Sequence, residues 1–416
     1  MIETNFKHTD IGLIPHDWEV KKLGENASIY RGGSPRPIEA YITNSPEGVN
    51  WLKIGDVSPT DKYFTHCAEK ITPLGTACSR QVHKGDFILS NSMSFGRPYI
   101  LKIDGCIHDG WLVIQDYTTS FNMEYLYYVL SSDTIKAQYV SMAAGSSVQN
   151  LNKDKVACVQ IATPPTLAEQ EKIANALSKI DQLINDLGAL IEKKKAIKQG
   201  TMQDLLTAKR RLKGFTGEWV KKNIWEVTIW DKKFNGVEDY KQPEVKKYPY
   251  ALAKELFAME DNSGDVFLLS TGGYSGWTTE KKAGQFMCHG EVVTIPWGGV
   301  AIVKYTNGKF VTADNRLATS KNTQVLSNKF LYLAMLIKTD VLNTFYRGAS
   351  IKHPSMEDVL NLEIFLPPTI AEQNAIANVL SSMDTEITNL EQKRNKYMAI
   401  KQGMMQNLLT GKIRLI

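Results

Sequence analysis

Pro164-Pro165-Thr166-Leu167-Ala168-Glu169-Gln170 returns 203 residues further on as Pro367-Pro368-Thr369-Ile370-Ala371-Glu372-Gln373. Ala196-Ile197-Lys198-Gln199-Gly200 likewise returns as Ala399-Ile400-Lys401-Gln402-Gly403, and 28 of the 49 positions from 164 to 212 are identical at this offset. Stretches so alike are one structural unit present twice. In each copy Pro-Pro stops the preceding element, and Thr166 with Glu169 (Thr369 with Glu372) predicts a capping box at a helix start. Apolar residues then recur at alternating steps of four and three: Ile173, Leu177, Ile180, Ile184, Leu187 and Ile191, and in the second copy Ile376, Leu380, Met383, Ile387 and Leu390. That is the a/d seam of a coiled coil. From Leu167 to Ala208 a helix would run roughly 63 Å, too long for an ordinary core, so the two copies are expected to pack on each other. Arg394 and Lys401 place charges where a clean seam would be apolar. Glycine within a helix costs about 1 kcal/mol, so Gly200 and Gly403 point to a kink or to close backbone approach, the latter favoured.

The regions between the helices repeat faintly. Asp17-Trp18-Glu19-Val20-Lys21-Lys22 resembles Glu218-Trp219-Val220-Lys221-Lys222, and Lys84–Leu89 resembles His289–Thr294. Glu124–Tyr127 corresponds to Lys329–Tyr332, and Gly145-Ser146 to Gly348-Ala349. Short β-branched and aromatic runs (Asp86–Leu89, Tyr99–Ile103, Val292–Ile295, Val300–Tyr305) punctuated by Gly and Pro predict strands. Trp18 and Trp219, recurring in both halves, are expected as core anchors. The fold class is therefore α+β: two domains of mixed strands and helices separated by two long helices in an antiparallel coiled coil, with a pseudo-twofold internal repeat. The expected boundaries are a first domain at 1–163, a central helix at 164–213, a second domain at 214–366 and a C-terminal helix at 367–416.

Composition excludes several classes. The 416 residues are 43% hydrophobic and 22% charged, which fits a globular chain and not a disordered one. Five cysteines without a C-x-x-C pair give neither a zinc ribbon nor a disulfide framework. No signal-type leader and no apolar run of membrane length is present, so the cytoplasm is the expected location, with no membrane partner. Net charge is +5. Residues 1–163 are net −2 and residues 164–213 net +4, so the basic excess gathers on helix. The Lys193-Lys194-Lys195 run with Lys198 suits either a phosphate track or a solvated helix face. Catalytic signatures are missing: no P-loop, no D/N-P-P-Y/F methyltransferase strand end, no P-D…(D/E)-x-K nuclease set, no H-E-x-x-H and no G-x-S-x-G. His108 and Asp109, with no nucleophile beside them, read as structural. This breadth of absence favours a binding protein with no catalytic residue and no metal site.

The duplicated P-P-x-x-E-Q-x-x-I-A helices, separated by dissimilar domains that open on the Trp18 and Trp219 segments, resemble the specificity subunit of Type I restriction-modification enzymes over essentially the whole chain. The resemblance implies two target-recognition domains, each reading one half of a split double-stranded DNA target. The helices set the spacer and dock two modification (methyltransferase) subunits, and restriction (translocase/nuclease) subunits join through them. It also implies that S-adenosylmethionine, ATP and Mg²⁺ belong to those partners and none to this chain. The rival reading is a coiled-coil protein–protein adaptor without DNA sequence specificity.

Arg, Lys and hydroxyls suit phosphates, whereas Arg suits guanine and Asn/Gln suit adenine. Polar segments beside predicted strands therefore supply the candidate DNA-binding residues. In the first domain these are Arg31, Ser34, Asn91, Ser92, Ser94, Arg97, Ser146 and Gln149. In the second they are Tyr274, Ser275, Trp277, Trp297, Asn315, Arg316, Arg347 and Lys352, the last two within the segment from Arg347 through His353.

Overall fold

The computed structural model describes residues 5–91, 96–143 and 151–416. The repeated motifs become two unbroken helices, Leu167–Leu206 and Ile370–Leu408. The chain separates into two compact units, Met1–Gly188 with Gln392–Ile416, and Ala189–Glu391. Each unit therefore holds one domain, the near part of one long helix and the far part of the other.

The first unit is built on two sheets. One has the order Ser28–Arg31, Trp111–Gln115, Phe87–Ser90, Pro98–Leu101, Tyr63–Phe64, antiparallel except for the last, parallel pair. The other runs Glu69–Ile71, Val49–Leu52, Gly105–Ile107, Arg80–Val82. Successive side chains on a strand point to opposite faces, and here both faces are covered. Ile88, Trp111 and Val113 enter a cluster with Leu52, Val82 and Ile107 from the smaller sheet. Phe87, Leu89, Leu112 and Ile114 turn the other way, onto Tyr125, Leu126, Ile173 and Leu177. Double-sided burial explains why Phe87–Leu89 reads as continuously apolar.

The second unit has one six-stranded sheet: Thr228–Trp230, Asn315–Ser320, Cys288–Pro296, Lys304–Thr312, Val266–Leu269, Ser275–Thr278. Its two long strands do the work of two strands each in the first unit. The bends fall at glycine: Gly85 (φ 93°) between Arg80–Val82 and Phe87–Ser90, and Gly290 (φ 144°) facing Gly308 (φ 122°) across the ladder. Val300–Tyr305, expected as a strand, instead runs irregularly to Val303, and the strand begins at Lys304. Its polar middle, Thr306-Asn307-Gly308-Lys309, has the composition of a turn, which hides it from a pattern reading.

A short ladder closes each domain. Glu19–Lys22 pairs antiparallel with Gln160–Thr163, and Val220–Asn223 with Glu363–Leu366. The strand after each repeated Trp thus meets the strand before each Pro-Pro, bringing the two ends of a domain together at the start of a long helix. Trp18 is fully buried and Trp219 packs against the second core, as core anchors should.

The repeated Glu-Gln pair has a division of labour. Thr166 and Thr369 accept from the backbone N–H of Glu169 (3.2 Å) and Glu372 (3.3 Å), which is half of the expected capping box. The other half is absent, because the glutamates, 5% and 0% exposed, are taken by arginine. Glu169 is gripped by Arg414, and Glu372 by Arg211 with Nη2–Oε2 2.7 Å. The glutamines hold the domain. Gln170 accepts from Asn122 N (2.8 Å) and donates to Ser120 O (3.1 Å), while Gln373 accepts from Ser327 N (2.9 Å) and donates to Val325 O (2.8 Å). Asn122 and Ser327 are the N-caps of helices Met123–Leu130 and Asn328–Leu336, so each glutamine fixes a domain helix at its start.

Within each unit the long helices run antiparallel. Lys401 pairs with Asp181 (2.6 Å) and Arg414 with Glu169 in the first unit. In the second, Lys194 pairs with Glu386 (2.6 Å), Lys195 with Glu391 (2.9 Å), Lys198 with Asp384 and Arg211 with Glu372. Seam positions nearest the helix starts join the domain cores: Ile173 and Leu177 one, Ile376 and Leu380 the other. Burying such a side chain contributes about 1.5–3 kcal/mol. Among the later seam positions Leu187, Ile191 and Ile387 are buried, while Ile184, Met383 and Leu390 are half-buried. Lys401 is explained by Asp181. The expected close approach at Gly200 and Gly403 is not found, for a Cβ at either would meet nothing within 4 Å.

Candidate nucleic-acid interface

In the first unit, Arg31, Ser34, Arg36, Asn91 and Asp109 gather where strand Phe87–Ser90 ends and Trp111–Gln115 begins. Asp109 is the hub. Its carbonyl accepts from Asn91 Nδ2 (2.9 Å) and Arg31 Nε (3.2 Å), and its carboxylate from Ser34 Oγ (2.9 Å) and Arg36 Nη2 (3.5 Å). The Ser34 hydroxyl holds this carboxyl below the usual carboxylate range. His108 accepts from Gly110 N through Nδ1 (2.6 Å), so both residues organise the turn. Asn91 is buried and Ser34 half-buried, so they shape the loop, whereas Arg31, Arg36 and Arg97 are exposed. Ser92, Ser94, Ser146 and Gln149 lie outside the described residues.

The second unit has its own hub in the equivalent place. Ile88 pairs with Val113, and Val293, its counterpart in the repeat, with Ala318. Counting back four residues from Val113 and from Ala318 brings Asp109 onto Asp314. Here the chemistry is inverted. Arg316, 3% exposed, donates through Nη1 to Asn315 O (2.8 Å) and Asp314 Oδ1 (3.0 Å), with Asp231 Oδ2 at 3.9 Å. Its guanidinium lies over the Trp297 ring at 4.0 Å. Burial pushes the Asp231 carboxyl up to about 6 against the pull of Arg316.

Arg316 and Asn315 therefore do not stand on the surface where a base edge could meet them. Asn315 is 3% exposed and donates to Leu269 O (3.0 Å) and Thr312 Oγ1 (3.1 Å). They open strand Asn315–Ser320, in register with Pro296 and Ile295, and their side chains are spent tying strand ends together.

Exposed groups lie around them. Lys232 Nζ stands 5.3 Å from the Trp297 ring centre, and the His353 ring 5.2 Å from it. Gly299 N donates to the carbonyl of exposed Lys352 (2.9 Å), and Arg347 pairs with Asp358 (2.7 Å). Thus Trp297, Arg316 and Lys352 do come together. Sequence does not single out Lys232 or Arg36, and reaches His353 only as the end of the Arg347–His353 segment, since their placement depends on partners 56 to 73 residues away. Tyr274, Ser275 and Trp277 belong to the sheet edge. The Tyr274 carbonyl accepts from Lys304 Nζ (2.7 Å), and Trp277, 46% exposed, packs on Phe267 at 5.1 Å. Of the lysine run, Lys194, Lys195 and Lys198 pair with carboxylates of the second helix, while Lys193 is exposed.

Two like sheets, each ending in polar loops and rooted on duplicated helices, define a tandem recognition protein. The family described as "Type I restriction modification DNA specificity domain" matches residues 15–199 and again 236–397, and the chain belongs to it. Among its relatives, the putative Type I restriction enzyme MjaX specificity subunit of Methanocaldococcus jannaschii is 25% identical, over 99% of this chain and 97% of that one. The MjaIX specificity subunit of the same organism is 23% identical with the same coverage. The Type I restriction-modification S subunit of M. genitalium has a similar fold, with TM-score 0.60 at 13% identity, covering 98% of this chain and 97% of that one. A chain from a study of complex assembly and conformational transition in the Type I R-M system gives TM-score 0.56 at 15% identity, covering 96% and 99%. The chain is thus a DNA-recognition component of a Type I system and not its catalyst, and a pure adaptor role is set aside. No helix among the described residues is long and apolar enough to cross a membrane.

Proposed function

We propose that each domain reads one half of a bipartite duplex target through its strand-end loops, the first with the Asp109-centred loops and the second with the loops around Trp297. The observation that carries this is the repeated placement: equivalent strand ends present Arg31, Arg36 and Arg97 in one unit and Lys232, Trp297, Lys352 and His353 in the other. Like frames with unlike side chains suit two different half-sites. Exposed Arg and Lys supply phosphate attraction, and the more fixed groups supply selectivity. In this reading the paired helices set the spacer and dock two modification subunits in the cytoplasm, with restriction subunits joining through them. S-adenosylmethionine, ATP and Mg²⁺ act on those partners. The organisation into domains at 1–163 and 214–366 with helices at 164–213 and 367–416 is part of the same proposal.

The test is domain exchange. Residues 215–350 are replaced by the corresponding segment of a relative, and methylated motifs are mapped in cells that supply the modification subunit. One half of the motif should change and the other persist. Change in both halves, or in neither, refutes the two-reader assignment.

A further inference from the structure

His353 is exposed, yet its ring is fixed. Nδ1 lies 2.7 Å from the backbone carbonyl of Trp297. A carbonyl only accepts, so Nδ1 carries the proton, and in the Nδ1–H tautomer Nε2 is an acceptor with no partner among the described residues. The ring packs on the Trp297 indole at 5.2 Å and 39°, and Trp297 is held in turn by the Arg316 guanidinium. His353 also occupies a rung of the ladder Tyr346–Arg347 with His353–Pro354, facing Arg347, and the Gly299 N to Lys352 O bond pins the preceding residue. Two exposed cations lie by this pair of rings: Lys352 precedes His353 in sequence, and Lys232 Nζ is 5.3 Å from the Trp297 ring centre.

Those neighbours are donors only, as is Arg347. In the major groove each base pair offers a single amino donor, adenine N6 or cytosine N4, while guanine and thymine offer acceptors at the matching place. A lysine or arginine cannot receive a hydrogen bond from that amino group. An unprotonated Nε2 can.

Resting on the reading that residues 214–366 contact one half-site, we propose that His353 is a specificity-determining residue. It accepts a hydrogen bond through Nε2 from the exocyclic amino group of one base, and so separates adenine and cytosine from guanine and thymine at one position of that half-site. Trp297 and Arg316 are positioning residues for this ring.

The test uses the full chain assembled with its modification subunits, in competition binding to duplexes carrying all four bases at each half-site position. Wild type should prefer the amino-bearing base at one position by roughly five- to tenfold. His353→Phe keeps a ring on Trp297 without a nitrogen, and should reduce that preference below about twofold while the other positions and the first half-site are unchanged. An analogue of the preferred base lacking its amino group should weaken wild type by the same factor and leave His353→Phe unaffected. His353→Gln, which can present a carbonyl oxygen, should restore part of the preference. The proposal is overturned if His353→Phe keeps every preference, if both variants weaken all sequences evenly, or if the analogue still weakens His353→Phe. A wild type indifferent to every base of the second half-site would instead overturn the half-site reading itself.

Discussion

Replacing Arg414 by alanine should destabilise the first unit far more than its place near the end of the sequence suggests. The side chain is 10% exposed and grips Glu169, itself 5% exposed, through Nε and through Nη2 at 2.8 Å from Oε2. It also reaches Asp17 with bonds of 2.8 and 3.0 Å, and lies 5.6 Å from the Trp18 ring centre. Asp17 is half open to water, so its share is small. Glu169 is the costly partner, because alanine leaves a buried carboxylate without its cation. Breaking such a pair costs about 3–5 kcal/mol. For a unit of this size that lowers Tm by roughly 6–20 °C. Differential scanning calorimetry of the full chain, with the two units melting as separate transitions, would show one transition shifted and the other in place. Arg414→Met with Glu169→Gln should recover most of the loss, since it removes the stranded charge along with its partner. A shift below about 1 kcal/mol for Arg414→Ala, or no recovery in the double variant, would refute the argument. Asp17 adds a pH signature. Its carboxyl is held below the ordinary value chiefly by Arg414, so its contribution is present above about pH 4 and lost as pH falls through the folded value. Arg414→Ala should flatten that acid dependence.

Gln373→Ala removes both hydrogen bonds to the start of helix Asn328–Leu336, and should cost about 1–3 kcal/mol in denaturant unfolding of the second unit. Asp231, raised to about 6 by burial, binds a proton more readily folded than unfolded, so its contribution falls as pH rises from about 4 to about 6. Asp231→Asn should remove that slope from a stability–pH profile. Four residues inserted in both long helices, after Gly188 and after Glu391, add about 6 Å of rise. The spacer in mapped methylation motifs should then lengthen by about one or two base pairs, and an active variant with the original spacer would refute the proposal that the helices set it.

The helices were legible because their sequence is present twice and their starts carry Pro-Pro-Thr. The role of Glu169 and Glu372 was not, because a capping box and a distant arginine make the same demand for a carboxylate at the third helical position, and only the fold brings Arg414 and Arg211 there. Phe87–Ser90 was legible because both its faces are buried. Lys304–Thr312 was not, because a strand bent at Gly308 carries the polar composition of a turn. Among candidate site residues, polarity beside strands selects Arg31, Trp297 and Lys352, which lie in strand-end loops, and equally selects Asn315 and Arg316, whose polar groups serve the protein's own interior. Composition cannot distinguish an arginine that faces water from one that lies between two carboxylates. Only the hydrogen bond from Nδ1 to a carbonyl 56 residues away sets His353 apart from an ordinary loop histidine.

The crossed arrangement of the helices has a consequence for synthesis. The first unit needs Gln392–Ile416 to be complete, whereas the second needs nothing beyond Glu391. On a ribosome adding about 5–20 residues per second, the N-terminal domain therefore waits roughly 10–45 seconds, with Glu169 and the apolar flank of its helix uncovered, for Leu408, Leu409 and Arg414 to emerge. The later-made domain can close first. A holdase that shields that half-built surface during the wait would affect yield more than any stabilising change in the second domain, and pulse-labelled protease resistance should appear in the C-terminal half before the N-terminal one.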